Sequence, residues 1–339
     1  MSDARSACIL GCAGLSLSDG EARFFAEVAP VGFILFARNI ETPDQIRRLT
    51  DALRAAVGWD APVFIDQEGG RVQRLRGPVW REWLPPLEQV ARVGAGSAAR
   101  SMYLRSYLIA REHLALGING NCAPCADIAR PETHPFLRNR CYGEDAGTVV
   151  RIARAVAEGL ADAGVVPVLK HIPGHGRGTL DSHHELPHVS APRAVLEAED
   201  FAAFKALNDL AWGMSAHLVF EAIDPSAPAT LSPAMMGVIR DEIGFDGLLM
   251  TDDISMNALP GDVASRAARA RAAGCDVVLH CNGDLPEMQS VARAAGALDD
   301  AALRRLDRAL ASRPAPVDVD EAAALAELSA LLRQGTRPA

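Results

Sequence analysis

Short runs of apolar residues recur along this chain at 7–12, 32–37, 62–66, 120–127, 165–171, 213–219, 247–252 and 276–282. Several are continuous, not alternating: Gly32-Phe-Ile-Leu-Phe36, Gly247-Leu-Leu-Met250 and Asp276-Val-Val-Leu279. Continuous apolar strands suit a parallel sheet that is covered on both faces. Between them lie stretches with the 3.6-residue period of amphipathic helices, at 42–57, 102–116, 148–163, 200–210, 233–243 and 266–273. Eight strands alternating with helices predict a (β/α)8 TIM-type barrel. An open doubly wound sheet is the alternative, but no G-x-G-x-x-G follows the first strand.

No linker divides the chain, so 1–339 reads as one catalytic barrel domain. The 78–99 stretch, rich in proline and tryptophan, reads as a long loop or a short irregular helix over one face. The tail, about 301–335, carries two helical segments separated by Pro314 and Pro316 and is expected to pack on the barrel exterior.

In such a barrel the functional groups gather at the C-terminal ends of the strands. Here the apolar runs end in polar residues: Asp66-Gln67-Glu68, Asp127, Lys170-His171, Ser215-Ala216-His217, Thr251-Asp252-Asp253 and His280-Cys281-Asn282. One strand-end aspartate is most simply a helix cap or a turn former. Six such ends around one rim predict a shared polar pocket.

Composition narrows the chemistry. Of 339 residues 49% are hydrophobic, but only 5% are aromatic, so Ala, Val, Leu and Ile must build the core. A net charge of -9 argues against binding a phosphate backbone, and no nucleic-acid partner is expected. Seven scattered cysteines do not form a secreted disulfide framework. Cys122-Ala-Pro-Cys125 has no second C-x-x-C and reads as two core cysteines. The N-terminal residues lack a signal-peptide core, and no apolar run reaches membrane-spanning length. These features predict a cytoplasmic protein without a membrane partner.

Five of the nine histidines lie between 171 and 188, in Lys170-His171-Ile172-Pro173-Gly174-His175-Gly176 and the Asp181-Ser182-His183-His184 that follows. A strand end would hold Lys170 and His171, and a mobile Gly-rich loop would carry Asp181 and His183. Two chemistries compete. His171, His175, His183 and Asp252 could collect zinc, although neither H-E-x-x-H nor H-x-H is present. Alternatively, Asp252 is the nucleophile of a glycosidase and His183, oriented by Asp181, its acid/base. His175 and His217 read as supports behind the site, and His184 and His188 as solvated loop residues.

These residues resemble glycoside hydrolase family 3, and within it the single-domain bacterial β-N-acetylhexosaminidases. The resemblance rests on Lys170-His-Ile-Pro-Gly-His-Gly176, Asp181-Ser-His183 and Thr251-Asp-Asp-Ile-Ser-Met256. Phe64-Ile-Asp-Gln-Glu-Gly-Gly-Arg-Val-Gln-Arg74, Asn139-Arg140, Pro228-Ala-Thr-Leu-Ser232 and Gly244-Phe-Asp-Gly247 follow in family order. Thr251 stands where the family more often has Ser, and Ile172 where it has Phe.

The resemblance implies a retaining exo-β-N-acetylglucosaminidase acting through a covalent glycosyl-enzyme. Asp252 would be the nucleophile, His183 the acid/base and Asp181 its partner. Asp66, Arg74, Arg140, Lys170 and His171 would bind the non-reducing-end sugar. The implied substrate is GlcNAc linked to 1,6-anhydro-N-acetylmuramic acid, with or without its peptide, in peptidoglycan recycling. No metal or cofactor is implied, and a monomer is expected. A phosphorylase using the same nucleophile, and a non-catalytic sugar-binding barrel, are the competing outcomes.

Overall fold

The computed structural model describes residues 5–181, 185–313 and 315–334. Eight parallel staves form the barrel: β1 (Ser6–Leu10), β2 (Pro30–Leu35), β3 (Val63–Ile65), β4 (Gly120–Asn121), β5 (Val166–Pro167 continuing as Leu169–Ile172), β6 (Trp212–Ser215), β7 (Leu248–Asp253) and β8 (Val277–His280). Each pairs with its neighbours in chain order, and β8 pairs with β1. The ring closes through β5: Val166–Pro167 pairs with β4, and Leu169–Ile172 pairs with β6. The alternating barrel of the sequence reading is therefore the fold observed.

Side-chain alternation builds two layers. Cys8, Leu10, Phe33, Leu35, Val63 and Ile65 pack outward against Phe24, Phe25, Ile46, Leu49 and Leu53 of the helices Asp19–Val28 and Pro43–Val57. Ile9, Ile34 and Phe64 belong to the other cluster, where the Phe64 and Trp212 rings lie 5.1 Å apart. These inner residues plug the barrel, so a ligand can enter only at the rim.

Element boundaries moved in places. The 120–127 run has ladder geometry only at Gly120–Asn121, because the following Cys122-Ala-Pro segment contains a proline that offers no donor. Its ends are still tied to β5, through Lys170 N–H to Pro124 O and Ala126 N–H to Lys170 O. The 200–210 helix is shorter than expected, Asp200–Lys205, and a second short helix, Arg193–Ala198, precedes it. The 233–243 helix widens into a π turn at Val238–Glu242. The helices Asp19–Val28 and Leu285–Ala295 were not expected, and Pro86–Val93 is the short helix within the 78–99 stretch.

After the barrel, Asp300–Ala311 and Glu321–Gln334 form the two tail helices. Ala324 and Leu328 pack on Trp83, Leu104, Leu108 and Ile109, at the outer side of the helix Ala98–Leu114. Tyr107 donates to Val317 O at 2.9 Å and fixes the connection. No helix among the described residues is long and apolar enough to cross a membrane.

Candidate active site

A cavity of about 320 Å³ opens at the C-terminal rim of the barrel. Asp66, Arg74, Arg140, Lys170, His171 and Asp252 all line it, although they come from five separate segments of the chain. Ile34, Met214, Met256 and Leu279 supply an apolar side. Not every strand end contributes as expected: the His280 Nε2 turns away to Glu287 at 3.0 Å, leaving Leu279 and Cys281 as the β8 contribution.

A buried ion network forms one wall. Lys170 Nζ lies 3.0 Å from Asp66 and 2.6 Å from Glu68. Arg140 grips Glu68 with both nitrogens of its fork, at 2.8 and 3.0 Å. Arg74 donates to Asp66 at 3.0 Å and lies 5.0 Å from the centre of the Phe36 ring. Burial pushes the Glu68 pKa up, but Arg140 and Lys170 outweigh it and hold the pKa near 2. Burial raises Asp66 too, and Lys170 and Arg74 pull it well below the usual carboxylate range. Lys170 is in turn held protonated by the two carboxylates, against the effect of burial. Three cations and two anions thus form a preorganised set of charged donors and acceptors suited to sugar hydroxyls.

His171 joins this network to a second one. Its Nδ1 lies 2.7 Å from Asp127 Oδ2, and its Nε2 lies 3.3 Å from Arg140 Nη2. An arginine can only donate, so the partners assign the ring proton to Nδ1 and leave Nε2 as the acceptor. The other oxygen of Asp127 accepts the His175 N–H at 2.6 Å. Asp127 is buried, yet His171 and His175 keep its pKa low. His175 itself is driven neutral, with its pKa lowered to about 4 by burial and then by His171.

Cys125, Asp127 and His171 place three ligand-type atoms within 4.8 Å of one another. Their geometry is that of hydrogen bonds: Cys125 Sγ lies 3.2 Å from Asp127 Oδ2, and the His171 Nδ1 proton fills the space between the other two. The Cys125 thiol is held protonated by its contact with Cys141 and by burial. This donor set fits protons. Cys122 and Cys125 both belong to the main core cluster, and all seven cysteines are buried.

The two adjacent aspartates of β7 are not equivalent. Asp253 is committed to its turn: Oδ1 accepts from Ser255 N at 3.1 Å and Cys281 N at 3.2 Å, and Oδ2 from Ser255 Oγ at 2.7 Å. Among the described residues, Asp252 accepts only the Asp253 N–H, at 2.8 Å, and has no ion-pair partner. Burial would raise its pKa, but His171, His217, the Asp253 N–H and Lys170 bring it below the ordinary value. An ionised carboxylate with lone pairs to spare therefore faces the cavity.

A bulge aims it there. Met250 pairs with Val277 and Asp253 with Leu279, so β7 uses three residues where β8 uses two. The Leu279 N–H would lose its strand partner at this point; Thr251 Oγ1 accepts it at 3.0 Å. Beneath, His217 spans from Thr230 Oγ1 at 2.8 Å to the Asp253 carbonyl at 3.1 Å. Its support role matches the sequence reading.

The loop after β5 is held more tightly than its glycines suggest. His175 is buried, Thr133 donates to Gly176 O at 2.5 Å, and His134 N–H donates to Gly178 O at 3.0 Å. Gly176 is there for close approach: a Cβ would lie 2.0 Å from the Ile128 carbonyl oxygen. Asp181 is partly buried, and its carbonyl accepts from Glu185 N–H at 3.0 Å. His183 and His184 lie outside the described residues. His188 is exposed and 3.3 Å from Glu221.

Glu68 and Asp127 were visible in the sequence as strand-end acids, but neither received a role. The signal for Glu68 was charge balance: Lys170 and Arg140, if buried together, need more than Asp66.

A family model for the glycosyl hydrolase family 3 N terminal domain matches residues 18–311. A β-hexosaminidase of Alkalilimnicola ehrlichii is 38% identical over 282 residues, covering 81% of this chain and 80% of that protein. Among solved structures, NagZ from Neisseria gonorrhoeae superposes with a TM-score of 0.83 at 27% identity, over 99% of both chains. A family 3 β-N-acetylglucosaminidase from a Paenibacillus species gives a TM-score of 0.84 at 31% identity, covering 97% of this chain and 66% of that longer one. The chain belongs to glycosyl hydrolase family 3. It is a glycoside hydrolase of the β-hexosaminidase class.

Proposed function

We propose that this enzyme is a retaining exo-β-N-acetylglucosaminidase that removes a terminal GlcNAc through a covalent intermediate on Asp252. The observation that carries this reading is the contrast between the two β7 aspartates: Asp253 is tied into its turn, whereas Asp252 faces the cavity with one hydrogen bond. The sugar would be held by Asp66, Arg74, Arg140, Lys170 and His171, whose polar groups are already paired and oriented. The Neisseria relative was solved with N-trifluoroacetyl-D-glucosamine, which supports a GlcNAc-type ligand.

In the first step an Asp252 oxygen attacks the anomeric carbon while the bond to the leaving oxygen breaks. His183, oriented by Asp181, donates its proton to that oxygen. In the second step His183 takes a proton from water, the water oxygen attacks the anomeric carbon, and Asp252 leaves. Two inversions give net retention. The substrate we propose is GlcNAc linked to 1,6-anhydro-N-acetylmuramic acid, with or without peptide, met in the cytoplasm during peptidoglycan recycling. We further propose that the chain acts as a monomer with the whole length forming one catalytic unit.

The test is hydrolysis of chromogenic β-glycosides of GlcNAc, GalNAc, glucose and xylose, with the product anomer read by NMR and with phosphate present or absent. Preference for GlcNAc, a β-configured first product and indifference to phosphate are expected. Phosphate-dependent release of a sugar phosphate would assign a phosphorylase instead.

A further inference from the structure

Four permanently cationic side chains line the cavity: Arg71, Arg74, Arg140 and Lys170. Three are ion-paired in place to Asp66 and Glu68. Among the described residues, Arg71 alone of the four has no carboxylate partner. It is exposed, and its guanidinium lies 5.7 Å from the centre of the Phe136 ring.

Its position is built, not incidental. Arg71 sits at the turn of a small hairpin, between the strands Gln67–Gly69 and Val72–Gln73. Gly69 adopts φ +100°, and a Cβ there would meet the buried Arg105 guanidinium at 1.7 Å, so the turn rests directly on Arg105. The Arg76 guanidinium caps the Gly70 carbonyl at 2.9 Å and the Arg71 carbonyl at 3.3 Å. Gly70 N–H donates to Trp83 O at 2.9 Å. A fixed backbone therefore presents one uncompensated positive charge over an aromatic face at the rim.

We infer that Arg71 is a specificity-determining residue that selects substrates carrying an anionic group, of the carboxylate class, on the aglycone. This rests on the glycosidase reading above. The buried floor, with its paired charges, suits neutral hydroxyls; the unpaired charge lies at the open side, where the remainder of a longer substrate would extend. A guanidinium matches a carboxylate with two parallel hydrogen bonds, and a site partly open to water makes the attraction modest and dependent on salt.

The experiment compares two aryl β-GlcNAc substrates with the same nitrophenol leaving group, one bearing a ring carboxylate and one neutral. The readout is the ratio of kcat/KM, anionic over neutral, so differences in intrinsic reactivity cancel between enzymes. Arg71→Gln should lower that ratio by about three- to tenfold, and Arg71→Lys by less. In the wild-type enzyme the ratio should also fall as salt is raised from 20 mM to 500 mM, which decides the matter should Arg71→Gln not fold. An unchanged ratio in Arg71→Gln, with both substrates still turned over, overturns the assignment while leaving the glycosidase reading intact. Failure of the wild-type enzyme to cleave either substrate removes the glycosidase reading and this inference with it.

Discussion

Asp127 Oδ2 lies 2.7 Å from His171 Nδ1, and both groups are buried. This one contact sets the direction in which His171 faces the cavity. With its proton held toward Asp127, the ring offers Nε2 as an acceptor to Arg140. The carboxylate has no proton to donate, so every neighbour that touches it must be a donor: His171 Nδ1, the His171 and His175 backbone N–H groups and the Cys125 thiol.

Asp127→Asn replaces one of those acceptors with an NH2 group facing another donor. The amide can reduce the conflict only by turning His171 to the other tautomer, which then opposes Arg140. We expect kcat/KM on an aryl GlcNAc to fall by about 10- to 100-fold, since a wrong tautomer alone is costly in other His–Asp pairs. Steady-state kinetics together with a thermal melt separate this from unfolding. Normal kcat/KM in a folded Asp127→Asn would show that the tautomer does not matter.

The bulge at Thr251 gives a second expectation. Thr251 is fully buried and its hydroxyl accepts the Leu279 N–H. Thr251→Val keeps the shape and leaves that N–H unpaired, at a cost of about 1–3 kcal/mol in urea denaturation. Because Asp252 is the next residue, kcat should drop as well. Thr251→Ser restores the acceptor and should keep most of both, which accounts physically for a threonine at a position where the family resemblance leads one to expect serine. Equal stability of Thr251→Val and wild type would contradict the role given to the hydroxyl.

Acid should destabilise the fold in two overlapping windows. Burial lowers the His113 pKa to about 3, and among the described residues neither ring nitrogen has a hydrogen-bond partner. Below pH 6.5 the unfolded chain takes up a proton that the folded His113 refuses, so stability falls as pH drops from 6.5 toward 3. Between pH 7 and 5 this one residue costs about 2 kcal/mol. His175, lowered to about 4, acts with the same sign over 6.5 to 4. Glu68, held near 2, stabilises the fold above about pH 4.5, and that stability is lost as pH falls through 2. His113→Leu should flatten the decline between pH 7 and 5 by about 2 kcal/mol and leave the loss below pH 4 in place. Unfolding free energies measured at intervals from pH 8 to about 2 check this, and an unflattened decline contradicts it.

The barrel was legible because its strands are short apolar runs flanked by helical periods, a pattern that depends only on local sequence. Segments that depart from ideal geometry were not. β5 breaks at Val168, and β4 keeps ladder geometry for only two residues, yet both read as single long runs. The helix Asp19–Val28 was missed although Ser18 and Glu21 form a complete capping box at its start. At the site, Asp66, Lys170, His171 and Asp252 were legible as polar residues at strand ends, whereas Arg74 and Arg140 were indicated only by the family resemblance. The part that was not legible is which acid touches which base. Glu68 and Asp127 hold the site together, but only the closed ring brings 68 beside 140 and 170, and 127 beside 171. The glycines of the Lys170–Gly176 motif read as freedom to move, whereas Gly176 serves close packing against Ile128.

The central claim is that Asp252, and not its neighbour Asp253, forms the bond to the sugar. Incubation with a fluorinated GlcNAc glycosyl fluoride, which slows release from the enzyme, followed by peptide mapping by mass spectrometry, tests it most directly. One sugar adduct is expected, located on Asp252, absent from Asp252→Ala and present in Asp253→Asn. An adduct on Asp253, or no adduct with turnover retained in Asp252→Ala, would contradict it.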